Sequence, residues 1–140
     1  MKKLLILSLS LLVLVACKTS EVIKYEYTST TMMGKKTLIV TQDSVYTSFT
    51  GRGEPTSSAR ATSASEWSSL NKAVEELKLK DVRDLEAPTN KRATDAAPFG
   101  KVTLHTKDSI YQSKTFDGYD SHEALKPLME QIRKIAESKK

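Results

Sequence analysis

Few side chains in this 140-residue sequence could perform chemistry, and they form no recognised catalytic arrangement. His105 and His122 are far apart in the chain, and neither has a serine or aspartate placed as a partner for general-base catalysis. The motifs of serine hydrolases, zinc proteases and phosphate-binding loops are absent from the sequence. The single cysteine excludes an internal disulfide framework and a multi-cysteine metal cluster. We therefore expect a protein that is not an enzyme and that holds no cofactor or metal.

Two polar segments remain as candidates for binding. Arg92 and Asp95 lie in an irregular stretch, where they could pair to fix the chain or form a recognition loop. Asp117 and Asp120 flank a Gly-Tyr pair and could be read as calcium ligands. Their spacing is not that of the EF-hand loop, and helix capping explains both carboxylates. Arg92 and Asp95 therefore form the candidate loop site.

The lone cysteine, Cys17, closes an apolar segment at the amino terminus. The segment begins with a cationic start, and residues 4–15 are apolar except for two serines. A helix over these residues would extend only about 18 Å, which is too short for a hydrocarbon core of about 30 Å. The segment is therefore typical of an export signal and not of a permanent membrane span.

Residues 14–17, with the sequence LVAC, resemble the lipobox of bacterial lipoproteins. The resemblance implies that residues 1–16 are a cleaved signal peptide and that the thiolate of Cys17 accepts a diacylglycerol. It also implies that residues 17–21 are a lipidated tether, because two or three acyl chains anchor a domain firmly. The alternative is an incidental cysteine beside an ordinary cleavage site.

The residues around the cysteine also bear on location. Enteric bacteria retain lipoproteins in the inner membrane with an aspartate after the cysteine, so Lys18 favours the outer membrane by analogy. The periplasmic and surface sides both stay open. In size, lipobox and Ser/Thr/Lys-rich strands the chain is similar to small uncharacterised lipoproteins of Bacteroidota, which carries no function over. The basic residues form scattered pairs without interleaved aromatics, so we expect no nucleic-acid partner.

Hydrophobic patterning predicts a single α+β domain over residues 22–140. Two amphipathic helices are expected, one opened by a capping box at Ser63 and Glu66, the other near the carboxyl terminus. Pro127 implies that the second helix either is kinked or begins late. We expect a five-stranded, mostly antiparallel sheet with both helices on one face. The expected strands are 22–28, 37–41, 45–50, 101–106 and 109–116.

The two expected hairpins contain an internal echo. Residues 39–48 align without gaps with residues 104–113, and both copies precede a loop and a helix. A duplicated hairpin-helix unit and convergence on the same turn chemistry both explain the match. If Ile39, Val45, Leu104 and Ile110 face the core, alternation along each strand makes the other face a candidate binding platform. That platform consists of Tyr46, Ser48, His105, Tyr111 and Ser113. An ordinary half-solvated sheet has a similar pattern.

These observations favour a membrane-anchored, non-enzymatic binding or structural module of a Gram-negative envelope. Its partners would be the membrane, through the lipid, and an envelope protein or glycan. The second interpretation is an inhibitor of an envelope protease or lysozyme that acts through residues 51–62, which are expected to form a mobile loop. An envelope hydrolase using Asp95 or His122 ranks third.

The anchor is testable at one atom. We expect the amino-terminal peptide from the native host to begin at Cys17 and to carry acyl groups, measured by mass spectrometry of the detergent-solubilised protein. Cys17→Ser should leave the protein without acyl groups and uncleaved, because a hydroxyl does not provide the thiolate that accepts the glyceride. A cleaved Cys17 peptide without acyl groups would contradict the prediction.

Overall fold

The computed structural model describes residues 21–138, so the signal, Cys17 and most of the tether lie outside the described residues. The chain begins with β1 (Val22–Thr31), β2 (Gly34–Thr41), β3 (Ser44–Gly51), β4 (Thr56–Ala61) and α1 (Ala64–Ala73). Two 3₁₀ turns follow, Leu79–Asp84 and Lys91–Thr94. The second half contains β5 (Phe99–Thr106), β6 (Ile110–Gln112), β7 (Phe116–Asp117), a 3₁₀ turn (Glu123–Leu125) and α2 (Lys126–Glu137).

One antiparallel sheet contains all seven of these strands, in the order β4-β3-β2-β1-β5-β6, with β7 also paired to β5. This confirms the predicted α+β class and the mostly antiparallel sheet, but the predicted count of five strands is wrong. One extra strand, β4, lies inside residues 51–62, where we expected a mobile loop. Its small Ser, Thr and Ala side chains give no apolar alternation, so only its pairing with β3 reveals it.

The other extra strand comes from an interruption. The expected strand 109–116 is divided into β6 and β7, which pair with successive parts of β5. Between them, the Ser113 hydroxyl accepts a hydrogen bond from the Val102 amide at 3.1 Å and donates one to the Lys114 carbonyl at 2.8 Å. A side chain thus replaces a main-chain partner at this point, and the regular ladder breaks there.

Both helices pack on the same face of the sheet. The buried residues of the sheet and of the helices form one core, which includes Tyr25, Leu104, Leu70 and Leu128. Tyr25 joins α1 to the sheet, because its ring meets Trp67 edge-on at 5.5 Å and its hydroxyl donates to Asn71 Oδ1 at 2.8 Å. Trp67 therefore packs against the sheet and fixes the position of α1.

The helix starts follow local rules. The predicted capping box is present: the Glu66 amide donates to Ser63 Oγ at 3.1 Å, and the Ser63 amide donates to Glu66 Oε2 at 2.9 Å. Pro127 lies in the first turn of α2, where its missing N–H leaves no hydrogen bond unmade. The later start of the second helix is therefore the correct alternative. The preceding 3₁₀ turn is capped by His122, whose Nδ1 accepts from the Ala124 amide at 3.1 Å.

The two hairpins share their turn but present opposite faces. Thr41 and Thr106 each accept a hydrogen bond from the amide of the serine three residues later, at 3.1 and 3.0 Å. One hairpin lies on one side of β1 in the sheet, and the other hairpin lies on the opposite side. A half-turn about the axis of β1 therefore relates the two hairpins, and this rotation exchanges their faces. They are therefore not repeated packing units.

This half-turn overturns part of the predicted platform. Leu104 lies opposite Tyr111 on the core face, whereas His105 lies opposite Ile110 on the open face. Ile110 is 66% exposed, and Ser113 is buried beside Val102. The expectations that Ile110 faces the core and that Tyr111 and Ser113 lie on the open face are therefore wrong.

The first hairpin needs one smaller correction. Val45 lies opposite Val40 in the core, as expected, but Ile39 lies opposite Tyr46 and so faces the open side. The turn between β2 and β3 sets the register of the two strands and places Ile39 opposite the residue after Val45. Ile39 and Val45 therefore lie on opposite faces of the sheet.

A pair of alanine variants tests the face assignment. Leu104→Ala should lower the free energy of unfolding by about 2–5 kcal/mol, because it leaves a cavity in a closed core. Ile110→Ala should change it by less than about 0.5 kcal/mol, because the side chain is in solvent. Urea unfolding of the two variants and the parent measures the difference, and equal losses would contradict the half-turn.

Candidate functional site

The predicted platform is reduced to Tyr46, Ser48 and His105 on the open face. Tyr46 is 38% exposed, and His105 Nε2 lies 3.3 Å from Glu26 Oε2 on the neighbouring strand. These three side chains come from strands on both sides of β1, so they do not form one cluster. With Tyr111 and Ser113 on the core face, the open face loses the second tyrosine on which the prediction depended.

The predicted loop site also changes its partners. Arg92 pairs with Asp117, with 3.0 Å between Arg92 Nη1 and Asp117 Oδ1, and not with Asp95. Asp95 is exposed at the end of the Lys91–Thr94 turn, in the left-handed region with a φ of 55°. The expected Arg92–Asp95 pair is therefore wrong, because Asp117 already lies beside the start of that turn and accepts its free amides.

Asp117 is a structural latch for the irregular stretch before β5. Its carboxylate accepts hydrogen bonds from the Thr89 hydroxyl at 2.5 Å and from the Lys91 and Arg92 amides at 2.7 and 2.9 Å. Burial alone would raise the pKa of the Asp117 carboxyl, but these hydrogen bonds and the Arg92 guanidinium outweigh it and hold the pKa far below its usual range. A carboxylate occupied in this way fastens a loop to the sheet, so the helix-capping role expected for Asp117 is wrong.

A groove of about 540 Å³ opens on the helix-bearing face, at the end of the sheet that contains the carboxyl half of β1. Its floor consists of two adjacent rows of residues on the same face of the sheet, and each row crosses four strands. The first row runs from β1 to β4 as Tyr27, Leu38, Thr47 and Ser58. The second row runs in the same direction as Ser29, Lys36, Phe49 and Thr56. Three open-face positions, Thr37, Ser48 and Ser57, border the groove, and Pro98, Tyr119 and Ala136 complete the lining.

Two tyrosines form the inner wall of the groove. The rings of Tyr27 and Tyr119 stack with centroids 4.8 Å apart and an angle of 21° between their planes. The Tyr27 hydroxyl donates to the Gly118 carbonyl at 2.7 Å, which fixes the turn that carries Tyr119. Burial, followed by the neighbouring Tyr119, raises the pKa of Tyr27 far above its usual range, so the phenol remains a neutral donor. The wall is therefore rigid and apolar.

The polarity of the groove changes from β1 to β4. At the β4 side the Thr47 and Ser58 hydroxyls are 2.7 Å apart. Lys36 is the single charged side chain in the lining, and no carboxylate pairs with it among the ion pairs of residues 21–138. The aromatic wall makes one end of the groove apolar. The row of hydroxyls and the lone cation give it a side that could accept an anion.

A second groove, of about 620 Å³, lies between the end of α1 and the start of α2. Its lining has no aromatic side chain and mixes four acids with two lysines, namely Glu75, Glu76, Asp81, Glu123, Lys72 and Lys78. Charges of both signs around an apolar floor offer less direction to a ligand than fixed aromatic rings and hydroxyls. We therefore take the tyrosine-walled groove as the candidate site and call it the groove from here on.

Sequence reasoning missed the groove almost entirely. Of its lining residues, only Ser48 belonged to the predicted platform. The signal that was available is the meander itself, since counting residues back from the Met32-Met33 turn brings Tyr27 opposite Leu38 and Ser29 opposite Lys36. Tyr119 and Pro98 reach the groove through the fold of the second half, and no local pattern indicates their position.

No protein-family model, curated protein or solved structure matches this chain. Within residues 21–138, neither helix has the length and apolarity needed to cross a membrane. The same residues bring together no group of three His, Cys, Asp or Glu side chains that could hold a metal ion. The function is therefore argued from the geometry of the groove.

The β4 side of the groove is held in place by an ion pair. Arg60, on the helix-facing side of β4, donates to both carboxylate oxygens of Glu66 in α1, at 2.7 and 2.9 Å, and to Ser138 Oγ at 2.8 Å. The hydrogen bond from Arg60 lowers the pKa of Glu66 to about 2, with burial opposing it and the Ser63 amide reinforcing it. Charged Glu66 thus ties the edge of the sheet to the first turn of α1.

This pair predicts a pH dependence of stability. The pKa of Glu66 is lower in the folded chain than its ordinary value of 4.5, so its contribution is complete above about 4.5 and is lost as the pH falls towards 2. Glu66→Gln should lower the melting temperature at pH 7 and flatten its fall between pH 4.5 and pH 2. Glu130→Gln, which removes an exposed partner of Lys134, is the control and should leave the profile unchanged. Identical profiles for both variants would refute the assignment.

Proposed function

We propose that this protein is a lipid-anchored, non-enzymatic binding module of the bacterial envelope whose ligand surface is the groove. The observation that carries the proposal is the shape and lining of the groove: about 540 Å³ on the helix-bearing face, with a stacked tyrosine wall and a row of hydroxyls. Ligand sites are concave and mostly apolar, with a few polar groups that orient the ligand. The groove has each of these properties.

The chemistry of the lining supports binding over catalysis. Among residues 21–138, the lining contains no histidine, cysteine, aspartate or glutamate, and its one charged group is Lys36. The tyrosine at its wall is kept protonated by burial, so it does not supply a base at neutral pH. His105 lies on the opposite face of the sheet, and His122 uses Nδ1 to cap a turn. The lining residues therefore supply no pair of side chains for general acid–base catalysis.

The position of the groove supports a partner in the aqueous part of the envelope. The lipobox at residues 14–17 leaves a tether of a few residues before Val22, which spans at most about 17 Å. The groove lies further along β1, near Ser29, about 20 Å beyond the anchored end of the strand. We therefore place the binding surface away from the lipid, where an envelope protein or glycan could enter it.

The inhibitor interpretation no longer has the mobile loop on which it rested. Residues 51–62 were its expected mobile loop, but six of them form β4, and the connection that remains is Arg52–Pro55. The binding-module proposal uses the same segment differently, because β4 supplies Thr56 and Ser58 to the groove.

Site-specific cross-linking tests the proposal in intact cells of the native host. A photoreactive amino acid at Thr56 would face the groove, whereas the same amino acid at Ala59 would face the open side of the same exposed strand. We expect an adduct of defined mass from position 56 that is absent from position 59. Phe49→Ala, in the floor beside Thr56, should reduce its yield by about tenfold. Equal adducts from both positions, or none from position 56, would reject the groove as the ligand surface.

A further inference from the structure

The outer edge of β4 is open for main-chain pairing. β4 is the last strand on its side of the sheet and pairs with β3 over six residues, from Thr56 to Ala61. In an antiparallel ladder every second residue of an edge strand directs its N–H and C=O groups away from the sheet. Among the described residues, the hydrogen bonds outside the ladder give these outward groups no main-chain partner, and the one side-chain bond to the main chain of β4 runs from Arg60 Nη1 to the Ala61 carbonyl at 3.1 Å.

This edge lacks the features that normally prevent strand addition. Its register is continuous with no bulge, and the nearest proline, Pro55, precedes the strand. Its side chains are small except for Arg60, which is held against Glu66 and Ser138 on the helix side. Edge strands are usually protected by free charges, prolines or bulges. A second strand could therefore approach β4 closely along its length.

The groove begins directly beside this edge. Thr56 and Ser58 line the groove and belong to the half of β4 that faces the helices. A strand added to β4 would lie about 4.8 Å further out, and every second side chain would lean over Thr56 and Ser58 towards Phe49. The small size of Thr56 and Ser58 leaves room for a large side chain to cross them. Main-chain bonds and side-chain insertion would then act together.

We propose that the ligand of the groove is an extended polypeptide segment that adds to β4 as a further strand and inserts an apolar side chain into the groove. The inference rests on the proposed function and names the class of its ligand. The segment has apolar or aromatic residues at alternate positions, because only those on one face reach the groove. It also has a carboxylate on the same face, because Lys36 is the one charged group that the described residues contribute to the lining.

Charge favours a foreign segment over a second copy of this chain. After cleavage before Cys17 the chain keeps all but two of its 22 basic side chains and all 17 acidic ones, a formal net charge of +3, which attracts an acidic segment and repels a like copy. Two β4 strands paired with each other would bring only Ser, Thr, Ala and Arg side chains to the shared edge. Such a pair would supply neither an apolar side chain for the groove nor a carboxylate for Lys36.

Peptide selection on the acylated full-length protein, held in lipid nanodiscs, tests the inference. The probe is a phage library of random peptides of about ten residues, a generous length for one strand. We expect the selected sequences to alternate apolar and polar residues, with an acid in the apolar phase. A synthetic peptide of the leading sequence should lose about tenfold in affinity when alternate amides along one edge are N-methylated, and nothing when the other edge is methylated.

A charge exchange supplies the matched control. Lys36→Glu should weaken the acidic peptide by about tenfold, and replacing the acid of the peptide with lysine should restore binding. Lys35→Glu changes the same charge on the next residue, which faces the open side, and should have no such effect. No alternating selection, equal effects of the two methylated edges, or equal effects of the two lysine variants would overturn the inference. A glycan adduct at position 56 would overturn the inference of a peptide ligand and leave the proposed function standing. The absence of any adduct there would overturn both the inference and the proposed function.

Discussion

β1 pairs with a strand on each side, and the positions of the other elements follow from that pairing. Its alternation defines the core face, on which Tyr25 and Tyr27 lie in sequence two residues apart. Tyr25 holds α1 through Trp67 and Asn71, whereas Tyr27 holds the turn before α2 through Gly118 and the ring of Tyr119. One strand therefore positions both the closed part of the core and the open groove beside it.

The groove exists because the helices cover only part of a wide sheet. α1 and α2 pack over Tyr25, Leu104 and their neighbours, where the core is closed. At the other end of β1, α2 contributes only Ala136 from its last turn, and the floor continues across three more strands to β4. Asp117 adds a third fixed element, since it fastens the stretch before β5 and so sets the position of Pro98 near the groove. An incomplete helical layer and a latched loop together produce a concave surface.

The sequence predicted those features that depend on neighbours in the chain. The capping box of Ser63 was predicted outright and the late start of α2 at Pro127 as one of two alternatives, and both involve groups within a few residues of one another. Local stereochemistry decides such features, so they were accessible. The predictions were wrong where the position of a residue depends on a partner that is distant in the chain. β4 has no apolar pattern because the β3 ladder specifies it, and Arg92 bonds to Asp117 because the fold brings that carboxylate to the start of its turn.

By itself, the sequence determined the α+β class, the antiparallel hairpins, the capping box at Ser63 and, through the lipobox resemblance, an expected anchor at Cys17. Only the tertiary structure decided which side of the sheet each hairpin presents. Five of the ten aligned residues are identical in the two hairpins, yet Tyr46 is exposed and Tyr111 packs against the core, because the hairpins pair on opposite sides of β1. Alternation along a strand separates two faces without saying which one the helices cover. The groove depends on that choice, since its rows are assembled from four strands whose register no single segment contains.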